Sequence, residues 1–186
     1  MRDKPFHPGR LDVEAFARAQ GSLQGELPRA SLPRLVQSVL PEAAAAPVVW
    51  QVSGSCRTSP GRDPLIRLDL VVRTQVQLTC QRCLEPLELP LDLQRRLRFE
   101  AGEEAAERLD ESLEDEDVLA LTPRLDLTAL IEDELILSLP IVPRHDVCPP
   151  QAQTRLGAWQ EAEPEPAVPR NPFEALAALR KGTGAD

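Results

Sequence analysis

The chain has 186 residues, 42% of them hydrophobic, with 19 prolines, four cysteines, no tyrosine and a net charge of -9, enough for one ordinary domain with a core of Leu, Val and Ile. No apolar run approaches the roughly 18 residues that span a bilayer, and residues 1–10 lack the apolar stretch of a secretory signal, so a cytoplasmic protein with reduced cysteines is expected. The charge is uneven: ten acids and one arginine fall between Glu100 and Asp117, while eight arginines face five acids between Arg57 and Arg98, a modest basic footprint that fits either a polyanion contact or the solvated face of a sheet.

Gly21, Gly25, Pro28 and Pro33 punctuate the opening segment, which predicts a short helix over 13–20, a strand over 22–27 and a second helix over 32–40. Val48, Trp50, Val52 and Cys56 share one phase of a strand over 48–56. The loop 57–64 carries Ser59-Pro60-Gly61 and Asp63-Pro64. Ile66, Leu68, Leu70, Val72, Val76 and Leu78 then alternate with mostly polar residues, and Cys80 falls in their phase. Alternation resumes after Pro86 with Leu87, Leu89, Leu91, Leu93, Leu97 and Phe99. The three strands 48–56, 65–80 and 87–99 predict an antiparallel meander with one apolar face, and Cys80-Gln81-Arg82-Cys83 lies at a hairpin tip. Arg95 occupies the apolar phase of the third strand, which predicts a bulge or an edge where its side chain reaches water.

The acidic run 100–117 reads as a mobile connection, because like charges this dense oppose compaction. A short strand over 117–121 follows, and Asp126 caps a helix over 127–139. Leu127, Leu130, Ile131, Leu135, Leu137 and Leu139 cover one broad face of it, suited to lie on the sheet. Glu134 projects into that face. An unpaired buried carboxylate is costly, so an ion pair, an early end to the helix or a functional role is expected there. Pro140, Pro143, Pro149 and Pro150 fix an extended exit that carries His145 and Cys148. Residues 151–170 read as a polar, acidic linker. Asn171, Pro172 and Glu174 start a helix over 171–182, whose stripe of Phe173, Leu176 and Leu179 should dock on the body or on a partner, since so short a helix is marginal alone. The expected architecture is therefore one α+β domain over 1–150, an antiparallel sheet with helices packed on one face, followed by the linker and a docking helix.

Zinc takes four soft or borderline ligands, commonly as two pairs. Cys80 and Cys83 offer one pair and His145-x-x-Cys148 the second, although 61 residues separate Cys83 from His145. Reduced thiols with packing roles fit the same residues. A redox dithiol fits less well, because its thiolate is usually stabilised at a helix N-terminus and Cys83 is followed by Leu84-Glu85-Pro86 and a strand. The sequence has no Walker loop, no dinucleotide-binding glycine fingerprint, no His-Glu-x-x-His and no Gly-x-Ser-x-Gly. Of its two histidines, His7 lies in a terminus expected to fray. Catalysis is not expected, nor is a small-molecule substrate.

Cys80-Gln81-Arg82-Cys83-Leu84, the block Glu132-Asp133-Glu134-Leu135-Ile136-Leu137-Ser138-Leu139-Pro140 with Ile141-Val142-Pro143-Arg144-His145, the later Cys148, and Asn171-Pro172-Phe173-Glu174-Ala175-Leu176-Ala177-Ala178-Leu179 together resemble the bacterial YceD family across about residues 11–180. Many members carry a second Cys-x-x-Cys after the proline-rich exit, where this chain has His145 and Cys148. The resemblance implies a role in synthesis, processing or stability of 23S ribosomal RNA and hence in large-subunit assembly. The implied partners are precursor 23S rRNA, large-subunit ribosomal proteins, or both. It implies no reaction. Direct RNA binding would fall to Arg82, Arg95, Arg96 and Arg98 as phosphate contacts. The competing expectation is a zinc-knuckle adaptor that holds a basic ribosomal protein without touching RNA.

Overall fold

The computed structural model describes residues 6–41, 46–61, 63–113 and 116–152. The predicted C-terminal helix and the predicted linker beyond Ala152 lie outside them. A first compact unit ends at Asp146. It is built on a five-stranded sheet in the order β1 (Ser22–Leu27), β2 (Val48–Arg57), β3 (Leu65–Thr79), β4 (Pro86–Glu100), β5 (Asp117–Ala120). Neighbours are antiparallel except β4 and β5, which run parallel, as expected for strands joined by a helical crossover instead of a tight turn. The helices are α1 (Val13–Arg18), α2 (Pro33–Ser38), α3 (Glu103–Asp110) and α4 (Leu127–Leu137). None of them is long and apolar enough to cross a membrane.

The alternating residues of β2, β3 and β4 form one apolar face, and α1, α2 and α4 supply the rest of the core through Val13, Phe16, Leu35, Leu127, Ile131 and Leu135, all at most 1% exposed. Close approach of α1 depends on glycine. A Cβ at Gly54 would sit 2.7 Å from the Phe16 ring and 2.9 Å from the Ala17 Cα, contacts that real side chains do not make. The other face of the sheet carries cross-strand ion pairs, Arg73 with Asp92 and Arg96 with Asp69, each pair standing directly opposite in the β3/β4 register and contributing a few tenths of a kcal/mol by the usual cross-strand scale (~0.2–1 kcal/mol).

Two sequence expectations need correction, and the one for Arg95 is decided between its alternatives. The acidic run is not wholly a mobile connection: α3 forms within it, with Ala106 buried, and its Asp110 accepts the Val118 amide of β5 at 2.8 Å. Glu116 pairs with Arg67 at 2.7 Å, so a basic partner relieves part of the repulsion that argued against order. Arg95 needs no bulge, because the β3/β4 register runs unbroken from Ile66 opposite Phe99 to Thr79 opposite Pro86. It does lie at an edge, since β5 pairs with β4 only over Leu97–Glu100. Finally, Leu137 is 76% exposed. It is the last residue of α4, at the margin of the stripe, and the buried face instead includes Glu132 and Glu134.

Candidate metal centre at the hairpin tip

β3 and β4 are each 15 residues long and extend beyond β2, whose last partner on β3 is Arg73. Their tip turns through Cys80–Glu85. The Leu84 amide donates to the Cys80 carbonyl at 2.8 Å and the Cys80 amide to the Glu85 carbonyl at 3.0 Å. Leu84 makes the return with φ +62°, a left-handed conformation that glycine usually fills. This tight turn presents Cys80 and Cys83 together.

The proline-rich exit from α4 comes back to this tip, which closes the 61-residue separation that weakened the sequence pattern. The Gln81 amide donates to the Pro143 carbonyl at 2.8 Å. The His145 amide points at Cys80 Sγ, 3.4 Å away, and Cys83 Sγ lies 3.5 Å from His145 Nδ1. The other imidazole nitrogen, Nε2, is 3.0 Å from the Pro86 carbonyl. A carbonyl only accepts, so Nε2 carries the proton and Nδ1 presents its lone pair toward the thiols. From Val147 the chain belongs to a second compact unit, in which the described residues include a turn closed by the Ala152 amide on the Pro149 carbonyl at 2.9 Å. Within the first unit the ligand atoms of Cys80, Cys83 and His145 lie within 4.8 Å of one another, and Cys148 follows His145 by three residues in sequence.

Burial pushes the Cys80 thiol upward, but the backbone amides of His145, Cys83 and Arg82 and the Cys83 side chain outweigh it and hold the group down at about 5. It is therefore a thiolate at neutral pH, the form that a metal requires. The 3.5 Å between Cys83 Sγ and His145 Nδ1 is close to the roughly 3.5 Å that a tetrahedral ion with bonds of about 2.3 Å to sulfur and 2.0–2.1 Å to nitrogen would impose. The donor set thus suits a metal ion such as zinc, and Cys80, Cys83 and His145 are close enough together to bind one.

The four arginines singled out as RNA contacts all have partners in the chain. Arg82 Nη2 donates to the carbonyls of His145 at 2.8 Å and Asp146 at 3.3 Å. Arg95 Nε bonds Glu134 Oε2 at 2.6 Å, and Arg98 Nη2 bonds Glu100 Oε1 at 2.6 Å. Arg96 is the loosest of them, 57% exposed and 3.4 Å from Asp69.

Sequence reasoning missed Glu132. Its Oε1 accepts the backbone amides of Arg34 at 2.7 Å and Leu35 at 3.1 Å, the orphan donors at the start of α2, and its Oε2 accepts Arg34 Nε at 3.0 Å. α2 has Leu32 at its N-cap, with no side-chain cap bond of its own, so α4 caps it from a distance. That uncapped start was the one available signal. Burial pushes the Glu132 carboxyl up, and the Leu35 amide, the Arg34 guanidinium and the Arg34 amide overcome it, leaving it below the ordinary range. Asp133 pairs with the Arg34 guanidinium on the surface. The three acids of the Glu132-Asp133-Glu134 block are thus all engaged in holding α4 to α2 and to β4.

The fold and site define a single-sheet α+β protein with a cluster of metal-ligating side chains at the tip of a long hairpin. The family described as "Large ribosomal RNA subunit accumulation protein YceD" matches residues 68–180. A protein of Haemophilus influenzae carrying that same name is 33% identical over 176 residues, covering 92% of this chain and 95% of its own length. No solved structure matches. The chain belongs to the YceD family.

Proposed function

We propose that this chain is a non-enzymatic cytoplasmic factor that supports accumulation of 23S rRNA, through its synthesis, processing or stability, and so assists large-subunit assembly. The family supplies the link to large-subunit rRNA. The observation that carries the molecular part is the 3.5 Å approach of Cys83 Sγ to His145 Nδ1 while Nε2 is bound to the Pro86 carbonyl. It supports zinc as a structural ion that ties the exit of α4 to the hairpin tip, where structural sites contribute folding energy and no chemistry. In this reading the partner is precursor 23S rRNA. Of the four arginines, Arg96 carries the phosphate contact on the open sheet face, with Arg82, Arg95 and Arg98 near it in sequence but bound within the chain. The test is complementation of cells that lack the protein, scored as the ratio of large- to small-subunit rRNA. The intact chain should restore the ratio and Cys83→Ser should not, and purified protein should leave precursor RNA uncut. Cleavage of that RNA, or a ratio indifferent to the protein, contradicts the proposal.

One observation favours a second reading, an adaptor for a basic ribosomal protein. Arg73, Arg95, Arg96 and Arg98 of the hairpin are paired with acids, whereas Glu103, Glu104 and Glu107 of α3 stand exposed. Neutralising those three glutamates should abolish co-purification of such a protein if the adaptor reading holds and spare RNA association if it does not.

A further inference from the structure

We infer that Arg82 is a positioning residue of the metal centre and not a contact for a polyanion, an inference that rests on the proposal that the centre binds zinc. Arg82 lies between Cys80 and Cys83 in sequence, yet its guanidinium leaves that turn and grips the other half of the site. Nη2 donates to the carbonyl of His145, a ligand, and to that of Asp146, the next residue toward Cys148. One side chain therefore joins the two ligand-bearing segments. The His145 carbonyl that it fixes belongs to the residue whose amide points at Cys80 Sγ and whose ring faces Cys83, so the clamp sets the ring's distance from the thiols. Pro86 sets the ring's orientation through Nε2. Together they act as the outer-shell partners that orient a metal-bound histidine and whose loss typically costs about 10–100-fold in affinity.

Arg82 donates to two backbone carbonyls of the exit segment, and Arg95, Arg96 and Arg98 pair with carboxylates. An exposed arginine such as Arg96 can exchange its carboxylate for a phosphate at little cost in high dielectric. Carbonyls in a ligand loop lose the geometry of the loop when their donor leaves.

The test uses the full-length chain loaded with cobalt(II), whose thiolate charge-transfer and d–d bands report the ligand set, with affinity read by chelator competition. Arg82→Ala should weaken cobalt binding about 10-fold and shift the d–d bands toward those of His145→Ala. Arg82→Lys, which keeps one cationic donor, should recover part of both. In the His145→Ala background, Arg82→Ala should add less than 3-fold, because Arg82 acts through that residue. A general structural role would instead give the same added loss in both backgrounds and an unshifted spectrum, which overturns the inference. So would Arg82→Ala that binds cobalt like the parent chain. Failure of the parent chain itself to bind cobalt is a separate outcome and overturns the zinc reading on which this one stands.

Discussion

Arg95 Nε donates to Glu134 Oε2 at 2.6 Å, joining the two residues whose positions conflict most with the hydrophobic pattern, a cation in the apolar phase of β4 and a carboxylate in the apolar stripe of α4. The side chain of Glu134 is 10% exposed and that of Arg95 37%, and this asymmetry sets what each mutation costs. Arg95→Ala strands a nearly buried carboxylate and should lower stability by about 2–3 kcal/mol, toward the range for breaking a buried pair. Glu134→Ala leaves a cation that can hydrate and should cost about 1 kcal/mol less. The double change Arg95→Met with Glu134→Leu should recover most of the loss. Urea unfolding of the three variants measures this, and equal costs for the two single changes would refute the ordering.

Glu132 makes the stability of the α2–α4 contact depend on pH. Its folded carboxyl lies below the ordinary value of 4.5, so its contribution is fully present above about pH 4.5 and is lost as pH falls through the depressed value. Glu132→Gln should therefore lower stability at pH 7 and narrow the gap to the parent chain as the solution is acidified below pH 4.5. A gap constant between pH 7 and pH 3, read by denaturant titration, would show that the carboxylate is not the source.

These two acids show how far sequence carries. Strand phases and the Asp126 cap were legible because they depend on neighbours within a few residues; Asp126 does accept the Thr128 and Ala129 amides, at 2.9 and 3.2 Å. The ligand pattern at Cys80, Cys83, His145 and Cys148 was legible as chemistry but not as geometry, since nothing local says that the exit of α4 returns to the hairpin. Glu132 could not be found from periodicity, because its partners lie 97 and 98 residues away. The order within the acidic run was missed because charge density was weighed without tertiary partners, the Val118 amide on Asp110 and Arg67 on Glu116.

Leu84 holds φ +62° with 73% of its surface exposed. A non-glycine residue there costs about 1–2 kcal/mol, while glycine would lose about 0.5–1 kcal/mol through greater freedom in the unfolded chain. Leu84→Gly should therefore leave stability unchanged or raise it by up to about 1.5 kcal/mol, with metal binding retained. A loss above 1 kcal/mol in thermal or urea unfolding would show that the side chain supports the turn.

Zinc content of the purified chain tests the central claim most directly. Elemental analysis of protein prepared without added metal or chelator, alongside Cys83→Ser and Cys148→Ser, should give one zinc per parent chain, a marked loss in both variants, and release of the ion from the parent as acid protonates its thiolates. A parent chain that carries no zinc and takes up none when it is supplied would contradict the account.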